Sequence, residues 1–113
     1  MNECLFCRIV AGEIPATVVH ETGDVLAFRD IAPQAPTHVV VIPKAHHQDA
    51  AALAAADPAL AGRLLAAATD VAESEGLADG HRLVLNTGSD GGQTVFHVHV
   101  HLLGGRALTW PPG

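Results

Sequence analysis

The chain has 113 residues, of which 49% are apolar, and this length predicts one compact domain over residues 1–113. Twelve acidic side chains against six basic ones give a formal charge of −6, which opposes binding to nucleic acid or to an anionic membrane. The apolar runs are too short to cross a bilayer and the first residues do not resemble a signal peptide, so we expect a cytoplasmic protein.

The spacing of apolar and turn-forming residues predicts two helices and five strands. A short helix is expected near residues 5–11. A long helix over 58–75 begins at Asp57 and Pro58, an N-cap and a first-turn proline, and ends at Gly76. The strands are expected at 17–20, 25–29, 38–42, 82–86 and 95–103. Because regular β-α-β alternation is missing, we predict an α+β fold around an antiparallel sheet.

Three histidines alternate with apolar residues in the last predicted strand. The alternation places His97, His99 and His101 on one face. The other face would enter the core through Phe96, Val98, Val100 and Leu102. Each neutral imidazole has a donor and an acceptor to satisfy, so three on one face indicate a phosphate or metal site rather than packing. One ion bound by all three is excluded, because they spread over roughly 13 Å.

A glycine-rich loop over residues 86–94 directly precedes these histidines. Its glycines allow backbone N–H groups to approach phosphate oxygens, and Gln93 and Thr94 offer further donors. Similar loops also form ordinary hairpin turns. The position of this loop before the histidine strand favours the phosphate interpretation.

Cys4 and Cys7 form a C-x-x-C pair near the start of the chain. This spacing supplies two ligands of a four-coordinate zinc site, and histidines would have to supply the other two. The alternatives are a redox pair or two buried thiols.

Taken together, these motifs resemble the histidine-triad (HIT) superfamily, and its Hint branch of nucleotide-binding proteins in particular. The matching segments lie at residues 6–15, 26–31, 33–38, 41–44, 86–93 and 97–106. The C-terminal segment from Trp110 to Gly113 favours the Hint branch over the dinucleoside-polyphosphate hydrolases and uridylyltransferases. The resemblance implies a HIT-like fold, with a five-stranded antiparallel sheet, one long and one short helix, and a homodimer.

The same resemblance implies a purine nucleoside phosphoramidase that hydrolyses AMP or GMP phosphoramidates through a nucleotidyl-histidine intermediate. By motif position, His99 is the nucleophile, His101 a donor to the phosphate and His38 a supporting imidazole. An imidazole is a competent nucleophile near neutral pH. Thr94 stands where the Hint pattern usually has Ser, and its added methyl group would slow protonation of the leaving group.

The nucleotide-binding residues are also implied by motif position. Asp30 would accept the ribose hydroxyls, although outside the motif it is typical of a turn, and Ile31 would line the base pocket. Asn86 would contact the nucleotide, while Gly92 and Gln93, with Thr94, would face the phosphate.

Bacterial members of the wider family imply a structural zinc bound by Cys4, Cys7, His46 and His97. His47 is the alternative ligand to His46, because the sequence alone does not exclude a shift of the ligand position by one residue. No organic cofactor is expected.

Two alternative functions remain. One is hydrolysis of dinucleoside polyphosphates or nucleotidyl sulfates. The other is a nucleotide-sensing or partner-binding module whose hydrolysis is incidental.

Overall fold

The computed structural model describes residues 3–113, so Met1 and Asn2 of the predicted domain lie outside the described residues. Five strands form one antiparallel sheet in the order β1-β2-β3-β5-β4, which confirms the α+β prediction. The strands are β1 Val18–Glu21, β2 Val25–Arg29, β3 Thr37–Pro43, β4 His81–Val84 and β5 Val100–Gly104. The helices are α1 Leu5–Val10, α2 Ala50–Ala56 and α3 Pro58–Ser74.

The long helix α3 forms where the sequence predicts it. The Asp57 carboxylate accepts a hydrogen bond from the Leu60 N–H at 3.0 Å, and Pro58 occupies the first turn. Beyond its C-terminal end, Gly76 adopts a φ of +73°, a conformation that glycine adopts without strain. Buried residues such as Leu64 and Val71 pack α3 on one face of the sheet. Within residues 3–113, no helix is both long and apolar enough to cross a membrane.

Helix α2 corrects the expectation of one long and one short helix. The alanine-rich stretch before α3 forms a helix of its own, capped by the Asp49 carboxylate on the Ala52 N–H at 2.9 Å. It does not continue into α3 because a residue before proline disfavours the helical conformation. Asp57 accordingly has an extended φ of −153° and separates the two helices.

The last strand is shorter than expected and corrects the prediction for Phe96. Strand β5 begins at Val100, and the side chain of Phe96 is 48% exposed rather than in the core. The preceding segment is held by hydrogen bonds that do not belong to the strand ladder. The Val98 N–H donates to the His47 carbonyl at 2.7 Å, and the carbonyl of Pro43 accepts from the His97 ring at 2.8 Å. These bonds replace a strand ladder over residues 95–99.

The two faces of the sheet have different partners. One face carries Val39 and Val41 into the core beneath α3. The other carries Phe28 and Val40 against α1, whose Phe6 lies edge-on to Phe28 with ring centroids 5.5 Å apart. The histidine rings of the candidate site lie on this second side, next to Phe6.

Candidate active site and metal cluster

The imidazoles expected to act together do meet on the α1 side of the sheet. The ring centroids of His99 and His101 are 4.9 Å apart, and those of His101 and His38 are 5.1 Å apart. Strand β3 contributes His38, strand β5 contributes His101, and His99 lies just before β5. The His99 ring is 6% exposed and packs edge-on against Phe6 at 5.1 Å.

One hydrogen bond determines which nitrogen of His99 is available for chemistry. Its Nδ1 lies 2.8 Å from the backbone carbonyl of His97. A carbonyl oxygen can only accept, so Nδ1 carries the proton and, in the neutral ring, Nε2 carries the lone pair. Within residues 3–113, Nε2 of His99 makes no hydrogen bond. The lone pair on Nε2 is therefore not engaged by another group of the described chain.

His38 and His101 form a directed hydrogen-bond relay. The Gln34 backbone N–H donates to His38 Nδ1 at 3.0 Å, so the proton of the neutral His38 ring is on Nε2. This Nε2 lies 2.9 Å from His101 Nδ1 and donates to it. The proton of His101 is consequently on Nε2. The relay thus leaves His101 with a donor nitrogen beside the His99 ring.

Asp30 lies next to this relay at the end of β2. One of its oxygens, Oδ2, is 3.4 Å from His38 Nε2 and 4.0 Å from His101 Nδ1. The other, Oδ1, accepts from the Ala32 N–H at 2.8 Å. These three side chains are close enough to hold a metal, but the His38 Nε2 proton already occupies the space between the two rings. The geometry favours a proton relay with a carboxylate beside it.

Burial keeps both central imidazoles neutral. It lowers the pKa of His99, against the opposing effect of its hydrogen bond to the His97 carbonyl. Burial, followed by the neighbouring His99 and His38, lowers the pKa of His101 to about 4. At neutral pH both rings are therefore unprotonated, and each keeps a nitrogen lone pair.

A mostly apolar cavity of about 500 Å³ opens beside these rings. Its wall includes Phe6, Ile9, Phe28 and Val40, with Asp30 at its polar side. Ile31 also lines it and is fully exposed to solvent. A flat aromatic group with a hydroxylated sugar matches this combination of an apolar wall and a carboxylate.

The glycine-rich loop is shaped from within by Gln93, which is 4% exposed. Its Nε2 donates to the carbonyls of Gln48 and Val95, and its Oε1 accepts from the Gly88 N–H. The side chain is therefore engaged inside the protein, which differs from the phosphate donor expected from the sequence. Thr94 remains exposed.

Two glycines of the loop are required by its geometry. A Cβ on Gly91 would collide with the Thr87 backbone, and Gly92 has a φ of +87°. Asn86 lies beside Gly92, because its Nδ2 would be 3.9 Å from a Cβ there.

The four expected zinc ligands converge in a separate cluster. His97 Nδ1 lies 3.4 Å from Cys4 Sγ, 3.5 Å from Cys7 Sγ and 3.2 Å from His46 Nδ1. Cys7 Sγ and His46 Nδ1 are also 3.4 Å apart. A zinc tetrahedron with bonds of about 2.0–2.3 Å has edges of about 3.3–3.8 Å, so the donor atoms fit this metal. His47 is not among the clustered residues, which favours His46.

The ring of His97 is also oriented for a metal. Its Nε2 donates to the Pro43 carbonyl at 2.8 Å, leaving the Nδ1 lone pair directed at the cluster. The Cys7 N–H donates to Cys4 Sγ at 3.3 Å. The sequence did not predict that the backbone carbonyls of Pro43 and His97 would accept hydrogen bonds from His97 and His99. Every residue type has a backbone carbonyl, so the sequence does not show which one accepts a bond.

The depressed pKa of His101 predicts a loss of stability in acid. Between its folded pKa of about 4 and the ordinary 6.5, the unfolded chain binds a proton that the folded chain does not. Stability is thus highest above the ordinary pKa and falls as the pH is lowered towards 4. Between about pH 7 and pH 5, we expect this residue alone to lower the free energy of unfolding by on the order of 2 kcal/mol.

Urea unfolding of the wild type and of His101→Asn at both pH values measures this effect. Protonation of the Cys and His cluster affects both proteins alike, so the difference between them isolates His101. Parallel stability curves for the two proteins would contradict the prediction.

Known proteins with similar sequences agree with the histidine-triad motifs and with the zinc cluster as far as their names and family descriptions state. A family model described as the HIT domain matches residues 11–108. The chain is 53% identical over 112 residues to the 14 kDa zinc-binding protein of Zea mays, covering 96% of this chain and 87% of the relative. It is 50% identical over 112 residues to the adenylylsulfatase HINT1 of Arabidopsis thaliana, covering 96% and 76%.

A solved structure extends the similarity to the fold. The HIT family hydrolase from Legionella pneumophila Philadelphia 1 superposes with a TM-score of 0.95 at 54% identity, covering 98% of this chain and all of that chain. The sequence motifs, the five-stranded sheet and the family match therefore agree, and this chain belongs to the HIT domain family.

Proposed function

We propose that this protein hydrolyses purine nucleoside 5′-phosphoramidates through a nucleotidyl-His99 intermediate. The observation that supports the proposal is the hydrogen bond from His99 Nδ1 to the His97 carbonyl, which leaves the lone pair of this neutral ring on Nε2. Membership of a family with hydrolase relatives supports the reaction class.

The chemistry follows from the two tautomers. The lone pair of His99 Nε2 attacks the α-phosphorus, and the bond from phosphorus to the amine nitrogen breaks. The amine leaves with a proton, which we assign to the Thr94 hydroxyl from its motif position, and solvent returns the proton to this exposed side chain. His101 donates its Nε2 proton as a hydrogen bond to a phosphate oxygen, while His38 holds His101 in that tautomer. Water then cleaves the bond between phosphorus and His99, releasing the nucleotide.

Binding of the nucleotide is assigned to the adjoining cavity and loop. The apolar wall would hold the purine, with Ile31 at the edge of the cavity, and Asp30 would accept the ribose hydroxyls. Gly92 and Asn86 would border the phosphate. Because the side chain of Gln93 is engaged by internal hydrogen bonds, we expect it to act through the loop that it shapes.

A second candidate reaction is hydrolysis of a nucleotidyl sulfate. The Arabidopsis relative is named an adenylylsulfatase, and the nucleophilic step would be the same with sulfate as the leaving group. Dinucleoside polyphosphates are a weaker alternative substrate class. If the protein were instead a nucleotide-sensing module, it would bind AMP with negligible turnover of any of these compounds.

Mass spectrometry of the quenched reaction tests the proposal. We expect a nucleotidyl adduct on the peptide containing His99 when the protein is mixed with an AMP phosphoramidate. Steady-state turnover of AMP and GMP phosphoramidates, adenylyl sulfate and a dinucleoside polyphosphate ranks the candidates. Tight AMP binding without an adduct or any turnover would instead favour the sensing module.

Zinc is the metal proposed for the Cys4, Cys7, His46 and His97 cluster. The tetrahedral spacing of the donor atoms supports it, and the maize relative is named a zinc-binding protein. When bound, zinc would tie α1 to the segment before β5 and to the loop after β3. We assign it a structural role, because four protein ligands leave no open position.

A two-fold homodimer is proposed through strand β4. In the sheet formed by residues 3–113, this strand lies at the edge and presents backbone groups without a strand partner on one side. Leu85 and Phe96 are exposed apolar side chains, 38% and 48% exposed, and Leu85 directly follows β4. Pairing of two β4 edges would join the two sheets into one.

The C-terminal segment is predicted to affect substrate choice rather than assembly. Trp110 is 81% exposed in the protomer and precedes two prolines, so it has a large apolar surface available to a partner. We expect deletion of residues 110–113 to change the ranking of substrates while the dimer persists, because the β4 edge holds it.

Light scattering at micromolar concentration, together with turnover of the same substrates, measures both effects. A mass of one chain would contradict the dimer. An unchanged ranking in the truncated protein would contradict the role of Trp110.

A further inference from the structure

The metal cluster and the nucleophile share one residue, His97. Its ring offers Nδ1 to Cys4, Cys7 and His46, all within 3.5 Å of it. Its backbone carbonyl oxygen, five bonds from Nδ1 in the same residue, accepts a hydrogen bond from His99 Nδ1 at 2.8 Å. The position of this carbonyl determines the tautomer of His99. A change in the cluster that moves His97 would therefore also change the hydrogen bond to His99.

The segment that carries His97 lies before β5, outside the strand ladder. Its hydrogen bonds run from the Gln93 side chain to the Val95 carbonyl and from the Val98 N–H to the His47 carbonyl. The completely buried His97 ring adds a bond to the Pro43 carbonyl, and this ring belongs to the same residue as the carbonyl that holds His99. Ordering of this ring therefore fixes the carbonyl that holds His99.

Phe6 provides a second connection from the cluster to His99. It lies between Cys4 and Cys7 in the chain and is 7% exposed. Its ring is edge-on to His97 at 6.0 Å and to His99 at 5.1 Å, with an angle of 89° to the latter. Any ligand that fixes the two cysteines therefore also fixes the aromatic wall against which His99 packs.

We propose that the Cys4, Cys7, His46 and His97 cluster positions the nucleophile, with His97 and Phe6 as the positioning residues. This inference rests on the proposed role of His99. With the cluster filled, the His97 carbonyl and the Phe6 ring hold His99 in the tautomer with its lone pair on Nε2. With the cluster empty, His99 exchanges between tautomers, and only part of the population is competent to attack.

The test compares His46→Asn with His47→Asn in zinc-loaded, ¹⁵N-histidine-labelled protein. His46 is exposed and belongs to the cluster, whereas the neighbouring His47 does not. In the wild type and in His47→Asn, we expect NMR to show a protonated Nδ1 and an unprotonated Nε2 for His99. In His46→Asn, we expect averaged nitrogen shifts and a kcat lowered by about tenfold, with a smaller change in KM.

A second variant leaves all four ligands in place. Phe6→Leu should retain zinc, measured by native mass spectrometry, yet broaden or shift the His99 signals and lower kcat. Phe6→Leu therefore tests the positioning of His99 even if His46→Asn does not fold. Removal of zinc by a chelator from the folded wild type supplies a third comparison.

The outcomes separate this inference from the proposed function. A folded, zinc-free protein that keeps one His99 tautomer and wild-type kcat would overturn the positioning role while leaving the phosphoramidase proposal intact. Unchanged His99 signals and an unchanged kcat in Phe6→Leu would show that Phe6 does not position His99. A wild type without an adduct or turnover would overturn the proposed function, and the tautomer comparison would still test the connection.

Discussion

Replacing His99 by Asn is expected to abolish formation of the nucleotidyl adduct and to lower kcat by about 10⁴-fold or more. The asparagine amide N–H can still donate to the His97 carbonyl, but the variant has no nitrogen lone pair in the place of Nε2. AMP should continue to bind, because the apolar cavity and Asp30 are unchanged. Adduct trapping, single-turnover kinetics and calorimetry with AMP measure the three quantities.

His47→Asn is the matched control for this experiment. It removes an imidazole from a residue in contact with the segment before His99, and the backbone carbonyl of His47 that holds Val98 is retained. It should behave as the wild type in all three measurements. Turnover by His99→Asn at a rate near that of the wild type would show that another group is the nucleophile.

Emptying the metal cluster is expected to produce the largest change in stability. In zinc-finger peptides the apparent binding free energy is about 10–16 kcal/mol, and most of it is expressed as folding. Here even about 3 kcal/mol would lower Tm by about 12 °C in a domain of this size. Calorimetric melting before and after chelation, with metal content measured on the same samples, tests this expectation.

The variants His46→Asn and His47→Asn again form a matched pair. The first should bind zinc more weakly and melt at a lower temperature, and chelation should change it less than the wild type. The second should melt as the wild type does and respond fully to the chelator. A purified protein without metal, in which both thiols react freely, would contradict the zinc assignment.

Much of the architecture could be read from local sequence signals. Asp57, Pro58 and Gly76 mark the ends of α3, and each acts within a few residues of its own position. The separate helix α2 was missed, although the same Asp57 and Pro58 pair that begins α3 also prevents α2 from running into it. The alternation of apolar residues likewise predicted a strand β5 that is too long. Alternation indicates which side chains are buried, but it does not show whether a neighbouring strand is present to pair with.

The identities of the candidate residues were also accessible from sequence. The histidine spacing and the C-x-x-C pair indicated two kinds of site, and the resemblance to HIT proteins divided their members between a catalytic group and a metal cluster. The structure brings Cys4, Cys7, His46 and His97 together, and His38, Asp30 and His101 in a second group.

Periodicity and side-chain type were enough to predict most helices and strands, the family and the candidate residues. The protonation and orientation of each imidazole depend instead on contacts that form only in the folded chain. His99 and His101 are chemically identical side chains, yet one has its Nδ1 beside a carbonyl and the other beside a second imidazole. In the proposed mechanism, the difference between nucleophile and donor thus comes from backbone and ring partners as many as 63 positions away in the chain, which residue type cannot encode.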